Sequence, residues 1–179
     1  MVLRFKYPEE WSCKCGRKHT VPLRQVLVKE RSLLGTADFI DRLDLGRNCL
    51  IVEDSITKGI AGNQIREVLT NARYFVSEVI VDRADMTNVK KVREQLRRSN
   101  FSIAVGGGTP IDVAKLATYQ SDVPFISIPT ALSHDGIASP IASISHNQTK
   151  TSSLAHPPIA VLADTEILVK APRKMIVAG

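Results

Sequence analysis

Segments of strand length alternate with helical patterns along most of this chain, and this alternation restricts the fold more than any other feature. The strand-like segments are Cys49–Val52, Phe75–Val81, Phe101–Val105, Phe125–Ile128 and Ile159–Ala163. Patterns of helical period separate the first four of them, over residues 61–72, 87–99 and 110–119. Strands and helices that alternate at these lengths form βαβ units with right-handed crossovers. The sequence therefore predicts an α/β fold with a parallel sheet flanked by helices.

Weaker patterns lie before and after this alternation. Pro22–Lys29 alternates loosely and predicts an edge strand, and Leu33–Leu43 predicts a short helix. A hairpin is predicted from Ile141–Ser145, a turn at residues 146–147 and a return strand from Thr149. Pro172 indicates the first turn of a last helix, because proline is tolerated there.

Length and composition indicate a folded protein of one domain. The 179 residues divide into a polar N-terminal extension, 1–20, and one domain, 21–179. A hydrophobic content of 44% excludes disorder of the whole chain. No apolar run approaches the ~18 residues of a membrane span, and the N-terminus lacks the apolar core of a signal peptide. Three cysteines argue against a disulfide framework and favour a cytoplasmic location.

The net charge of +6 is compatible with nucleic acid, a membrane surface or a phosphorylated small molecule. The densest basic run, Lys90–Arg98, lies on a helical pattern whose apolar positions are Val89, Val92 and Leu96. Its basic side chains therefore form the solvated face of an amphipathic helix. Aromatic residues make up 5% of the chain and do not interleave with the basic ones, so we expect no nucleic-acid partner.

The segment FSIAVGGGTPIDVAK carries the strongest indication of a ligand site. A buried strand runs into three glycines and then into a helix, for which Thr109 can be the N-cap, Pro110 the first residue and Asp112 the capping-box partner. Glycines let a ligand approach the backbone, and the first helical turn favours a phosphate. The segment lacks Gly-Lys-Ser/Thr, and Ile111 occupies the last place of a G-x-G-x-x-G/A frame. The alternative is a tight turn without a ligand.

Other strand ends carry polar side chains, where ligands of parallel sheets bind. Residues 127–140 combine hydroxyls, a histidine and Asp135, whose carboxylate suits a polyol hydroxyl or an Asx-turn. Asp54 follows an earlier strand and suits either the ribose of adenosine or a helix N-cap. Asp164 ends the last strand.

The N-terminal extension contains three residues that can bind metal, Cys13, Cys15 and His19. They suggest zinc, but the Cys-x-Cys spacing is tighter than the usual C-x₂₋₄-C. We therefore expect no metal ligand here, and metal binding stays the alternative.

At GGGTPIDVAK and SIPTALSHDGIASP the chain resembles the sn-glycerol-1-phosphate dehydrogenases, which belong to a group of metal-dependent polyol dehydrogenases. Further matches are EDSITKGIAG, IASISHN and PPIAVLADTEIL. The resemblance implies a Rossmann-like domain and an oxidoreductase that interconverts dihydroxyacetone phosphate and sn-glycerol 1-phosphate with NAD or NADP. In the family this is the first step toward archaeal-type ether lipids, a branch of phospholipid biosynthesis.

The resemblance also implies roles for individual residues. The residues implied to contact the cofactor are Gly108, Thr109, Pro110, Ile111 and Asp112 at the pyrophosphate, Asp54 at the adenosine ribose, and Thr130, Ala131, Leu132, Ser133 and Ser139 elsewhere. Asp135 would contact substrate. The family's zinc or other divalent metal is held by residues equivalent to positions beyond Gly179, in a helical second domain, so we expect none of those ligands in this chain.

We therefore expect the cofactor-binding half of such a dehydrogenase, inactive by itself and without a catalytic residue of its own. Two alternatives stay open: a non-catalytic nucleotide-binding fragment, and a related glycerol or alcohol dehydrogenase. The sequence leaves open the choice between NAD and NADP, the identity of the metal and whether the chain forms a homo-oligomer.

Overall fold

A computed structural model describes residues 11–146 and 149–177 of the chain. The strands are β1 (Trp11–Ser12), β2 (Lys18–His19), β3 (Gln25–Lys29), β4 (Asn48–Glu53), β5 (Phe75–Ile80), β6 (Phe101–Gly106), β7 (Phe125–Pro129), β8 (Ile141–His146), β9 (Thr149–Leu154) and β10 (Ala160–Asp164). Six of them form one parallel sheet in the order β3-β10-β7-β6-β4-β5. The predicted parallel sheet is confirmed, with β3 at one edge as expected.

Helices connect these strands. They are α1 (Thr36–Asp41), α2 (Ser55–Thr57), α3 (Asn63–Asn71), α4 (Met86–Leu96), α5 (Gly108–Tyr119), α6 (Thr165–Leu168) and α7 (Arg173–Val177). A 3₁₀ turn at Ser32–Gly35 precedes α1, and a π-helical turn at Lys58–Gly62 joins α2 to α3. A side chain at Gly62 would overlap the carboxylate of Glu53, so glycine lets this wide turn pack against the end of β4.

Apolar side chains cover both faces of the sheet. Along β6, Ile103 and Val105 pack into one cluster with Phe39 and Ile65, because alternate residues of a strand point to the same face. Ala104, between them, packs into the other cluster with Val92 of α4. The near-continuous apolar runs of the sequence correspond to strands buried from both sides.

Two antiparallel hairpins lie outside the sheet. β8 pairs with β9 from Ile141 opposite Leu154 to His146 opposite Thr149, as predicted, while residue 147 of the predicted turn lies outside the described residues. β1 pairs with β2 within the N-terminal extension. The division at residues 20 and 21 stays a prediction. In the described part of the chain, no helix is long and apolar enough to cross a membrane.

The strand order places a crevice at the carboxyl end of the sheet. β4 pairs with β5 on one side and with β6 on the other, so the chain reverses its winding direction between β4 and β6. In open α/β sheets, ligands bind at this switch point. The segments that follow β4, β6 and β7 begin at Asp54, Gly107 and Thr130, and all three meet at this edge.

Candidate functional site

The turn between β6 and α5 differs from the predicted capping box. The helix begins at Gly108, and its N-cap is Gly107, which has no side chain to accept hydrogen bonds from the first turn. Gly106 has a φ of +147°, and a Cβ there would lie 2.8 Å from Cγ of Pro110. The prediction that Thr109 caps the helix is therefore wrong, because the glycine turn brings the helix start closer to the strand. The N-cap residue therefore supplies no side-chain hydrogen bond to the first turn of α5, which is the arrangement that favours an anion.

Gly107 faces open space. A Cβ built on this residue would meet no atom within 4 Å. The residue lines a cavity of about 570 Å³ together with Asp54, Thr57, Thr130 and other residues of the strand ends. The glycine therefore exposes its backbone to this cavity, and no described residue fills the place of a side chain.

A larger cavity, of about 1300 Å³, lies on the other side of the glycine turn. Its lining includes Asp112, His134 and Asp135, with serines of the β8–β9 hairpin. Gly108, Thr109 and Ser133 line both cavities. The cavities therefore meet at the start of α5, so an elongated ligand can occupy both with its middle over the uncapped helix start.

Three cations line the larger cavity. Arg83, Lys90 and Lys150 line it, and among the described residues none of the three makes an ion pair. The hydrogen bond from the Ser145 amide to the Ala84 carbonyl, 2.7 Å long, attaches the hairpin beside α4. The cations on α4 and on β9 therefore face the same space, which attracts an anionic ligand.

Most acidic groups of the same cavity already have partners. Asp82 accepts a hydrogen bond of 3.0 Å from the Asn88 side chain, and Asp85 accepts one of 2.9 Å from the Asn88 amide. Asp112 lies 3.6 Å from a buried ammonium group. The carboxylate of Asp135 is exposed and makes no hydrogen bond within the described part of the chain. The Asx-turn considered for Asp135 is therefore not formed.

His134 presents a hydrogen-bond donor to the glycine turn. Its Nδ1 accepts a bond of 2.8 Å from the Gly136 amide, which places the proton of a neutral ring on Nε2. Nε2 is buried, has no hydrogen-bond partner in the part of the chain that the structure describes, and lies 3.2 Å from where a Cβ of Gly108 would be. A buried donor without a partner is costly in a folded protein, so this atom indicates a missing acceptor.

Lys115 is fully buried beneath the loop that follows β7. Its Nζ donates hydrogen bonds of 2.6 Å to the Gly136 carbonyl and 2.7 Å to the Ile141 carbonyl. Burial lowers the pKa of Lys115, and the Asp112 carboxylate opposes this shift. Burial likewise raises the pKa of Asp112, and Lys115 opposes that shift. The lysine thus holds the loop at two points, the nearer of which is the residue after Asp135.

Asp54 caps the start of α2, which is one of the two roles that the sequence suggested for it. Its Oδ1 accepts hydrogen bonds of 2.9 Å from the Ile56 amide and 2.7 Å from the Thr57 amide. In return, the Asp54 amide donates a hydrogen bond to Oγ1 of Thr57, which completes a capping box. Asp54 also lines the smaller cavity, so its ribose role stays a prediction.

Not every residue of the expected cofactor set faces the two cavities. Ile111 is fully buried in the apolar cluster between α5 and the sheet. Its side chain therefore packs α5 in place and does not reach either cavity. Leu132 is 47% exposed and lines a separate pocket, and Ser139 lines neither cavity. Asp164 accepts hydrogen bonds from the amides of Arg31, Leu33 and Glu166, which is a structural role.

Sequence reasoning missed Lys115 and the cations of the larger cavity. A lysine between Ala114 and Leu116, on a helix with little polar surface, was the available signal for Lys115. Arg83 and Lys150 are 67 positions apart (150 − 83), and no local pattern connects them.

Comparison with known proteins agrees with this architecture. The sequence profile described as iron-containing alcohol dehydrogenase matches residues 28–172. The glycerol-1-phosphate dehydrogenase [NAD(P)+] of Pyrococcus abyssi is 43% identical over 158 residues, which are 87% of this chain and 45% of that protein. The corresponding enzyme of Methanococcoides burtonii is 42% identical over 167 residues, 92% of this chain and 47% of that protein. The chain thus spans about half the length of these relatives.

Solved structures show the same fold. Glycerol dehydrogenase from Schizosaccharomyces pombe superposes with a TM-score of 0.78 at 21% identity, over 86% of this chain and 40% of that one. An iron-containing alcohol dehydrogenase from Thermotoga maritima superposes with a TM-score of 0.76 at 18% identity, over 87% of this chain and 49% of that one. Because the profile covers most of the chain, this protein belongs to the iron-containing alcohol dehydrogenase family.

Proposed function

We propose that this chain binds NAD(P) for the interconversion of dihydroxyacetone phosphate and sn-glycerol 1-phosphate. The observation that carries the proposal is the glycine turn, which has an uncapped helix start and a cavity on each side. The identity of 42–43% to glycerol-1-phosphate dehydrogenases supports this activity over those of the less similar glycerol and alcohol dehydrogenases.

The two cavities fit the two halves of a dinucleotide. The adenosine half would occupy the smaller cavity beside Asp54, whose second carboxylate oxygen makes no hydrogen bond in the described residues. The pyrophosphate would lie over Gly107 and Gly108, within reach of the Nε2 donor of His134. The nicotinamide half would enter the larger cavity, and when bound it supplies the hydride that reduces a ketone.

The larger cavity also suits a small phosphorylated substrate. The carboxylate of Asp135 can accept a hydrogen bond from a substrate hydroxyl, because no described residue occupies it. Arg83, Lys90 and Lys150 can bind its phosphate, because they lack ion-pair partners among the described residues. These residues bind and orient the substrate beside the site of the nicotinamide.

The family name implies a metal, and the residues of this cleft do not fit one. Within the described ranges, one group of three His, Cys, Asp or Glu side chains brings its ligand atoms close enough to hold a metal ion. This group consists of Cys13, Cys15 and His19, and it lines neither cavity. Asp112, His134 and Asp135 do not form such a group. We therefore derive no step of the reaction through a metal held by the cleft.

The proposal extends to cellular context. Cys13, Cys15 and Cys49 are all free thiols, which fits the cytoplasm. A homo-oligomer and a role in ether-lipid synthesis stay predictions of the family resemblance.

Ligand binding tests the proposed substrate. In the presence of saturating NADP⁺, calorimetric titration compares dihydroxyacetone phosphate with dihydroxyacetone. We expect the phosphorylated compound to bind at least about tenfold more tightly, which corresponds to ~1.4 kcal/mol. Equal affinity would contradict the choice of a phosphorylated substrate.

A matched pair of variants locates the phosphate. Arg83→Gln with Lys150→Gln should remove most of the preference, because both cations line the larger cavity. Lys29→Gln, at the exposed end of β3 and outside both cavities, should keep it.

A further inference from the structure

The β1–β2 hairpin gathers three metal-binding side chains that the cleft does not use. The ligand atoms of Cys13, Cys15 and His19 all lie within 4.8 Å of one another. Sγ of Cys15 lies 3.0 Å from Nε2 of His19. Ligand atoms around a tetrahedral zinc ion bonded to sulfur and nitrogen are roughly 3.5–3.8 Å apart, so small side-chain adjustments suffice to bind one.

The backbone of the hairpin prepares this arrangement. The Cys13 amide bonds to the Arg17 carbonyl at 3.1 Å, and the Gly16 amide bonds to the Cys13 carbonyl at 3.0 Å. Gly16 has a φ of +78°, which lets the chain reverse between the cysteines and His19. The turn therefore compensates for the short Cys-x-Cys spacing that argued against a metal in the sequence.

A backbone amide also supports a thiolate at Cys13. The Cys15 amide donates a hydrogen bond of 3.4 Å to Sγ of Cys13. The donor set of two soft sulfurs and one imidazole is typical of zinc sites.

The hairpin needs such a cross-link more than the rest of the fold does. Each of its strands has two residues, and a hairpin of this size is marginal in water by itself. Cys13 and Cys15 contribute no apolar core, since the first is half-buried and the second is exposed. A metal ion would close the turn between β1 and β2 in place of a core.

We propose that Cys13, Cys15 and His19 bind a zinc ion that stabilises the hairpin, with water as the fourth ligand. This site is separate from the family's catalytic chemistry, because the family profile begins at residue 28 and the hairpin lines neither cavity. The proposal does not depend on the proposed function.

Cobalt substitution tests the site directly. Co²⁺ is titrated into the reduced, metal-free chain while absorption is recorded. We expect thiolate-to-cobalt charge-transfer absorption in the near ultraviolet and tetrahedral d–d bands in the visible, saturating at about one ion per chain and displaced by Zn²⁺. Absence of these bands would overturn the proposal.

Variants and a local probe exclude other origins of the signal. Cys13→Ser with Cys15→Ser should abolish the bands, whereas Cys49→Ala, which removes the buried thiol of β4, should keep them. Bands of equal strength in the double serine variant would also contradict the proposal. In the unmodified chain, Zn²⁺ should slow hydrogen exchange at the amides of Cys15 and Gly16, and an unchanged rate there would show that metal binds elsewhere.

Discussion

The ammonium group of Lys115 donates a hydrogen bond of 2.6 Å to the carbonyl oxygen of Gly136, from the middle of α5 to the loop that follows β7. A second bond, 2.7 Å long, reaches the Ile141 carbonyl at the start of β8. A single buried cation therefore holds this loop at two points, both of which follow His134 and Asp135 along the chain. Gly136 and Ile141 both line the larger cavity, so the lysine supports part of its wall.

Lys115→Met should loosen the loop. The variant loses two charge-assisted hydrogen bonds and leaves Asp112 without its neighbouring cation, so we expect the free energy of unfolding to fall by about 2–4 kcal/mol. Affinity for NADPH should fall as well. Chemical denaturation and fluorescence titration measure the two effects. Lys91→Met is the control, since Lys91 also donates to a carbonyl, that of Ile80, but is exposed. Equal losses in both variants would show that burial of Lys115 is unimportant.

Asp135→Asn should weaken substrate binding and leave cofactor binding nearly unchanged. The amide replaces the carboxylate only partly, and a charge-assisted hydrogen bond contributes about 1.5–3 kcal/mol, so affinity for glycerol 1-phosphate should fall roughly 10- to 150-fold. Calorimetry on one preparation measures both dissociation constants. A parallel loss of NADP⁺ affinity would mean that Asp135 organises the loop instead.

Glu53 should make stability depend on pH. Burial raises the pKa of Glu53 to about 7 from 4.5, and the Glu78 carboxylate adds to the shift while Lys58 opposes it. The folded state therefore holds a proton that the unfolded state has released, so stability falls as pH rises between these two values. Both carboxylate oxygens of Glu53 lack hydrogen bonds to the described residues, and the side chain is fully buried.

Glu53→Gln removes this titration. We expect the variant to gain about 1–2 kcal/mol relative to the parent chain between pH 5 and pH 8, after allowance for screening by Lys58 and solvent. Denaturation at several pH values measures the difference. Glu67→Gln, on the exposed face of α3, should keep the parent's pH dependence. If the difference in free energy of unfolding between Glu53→Gln and the parent chain does not change with pH, the proposed titration of Glu53 is wrong.

Local sequence patterns were sufficient for the sheet but not for the cleft. Phe101–Gly106 is buried along its whole length, and such a strand reads as a continuous apolar run. The start of α5 was misplaced because Thr109 and Asp112 match a capping box, whereas the tight turn makes Gly107 the N-cap. The π-helical turn depends on packing of Gly62 against Glu53, nine positions away (62 − 53), which no periodicity reports.

The residues of the site were predicted best where one segment supplies them. The glycine turn and Asp135 each lie within a short motif, and the structure places both beside the cavities. Lys115 was missed because a lysine in a helix is ordinarily taken as solvated. The cations of the larger cavity meet only after the hairpin pairs beside α4, and long-range pairing of that kind has no local signal.

Gly107→Val should block dinucleotide binding without disturbing the fold. The backbone of Gly107 has a φ of −90°, which valine tolerates, and the side chain would extend into open space of the smaller cavity. That space is where the pyrophosphate must approach the backbone. We expect NADPH affinity to fall at least about 30-fold, which corresponds to ~2 kcal/mol. Gly35→Val is the matched control, because Gly35 has a φ of −100°, also faces open space and lines neither cavity.

Titration of NADPH fluorescence against the parent chain and these two glycine variants therefore tests the central claim most directly. The account predicts saturable binding to the parent and to Gly35→Val, with binding lost or strongly weakened in a folded Gly107→Val. If the parent chain does not bind NADPH, or if Gly107→Val binds it as tightly as the parent does, the glycine turn is not the dinucleotide site.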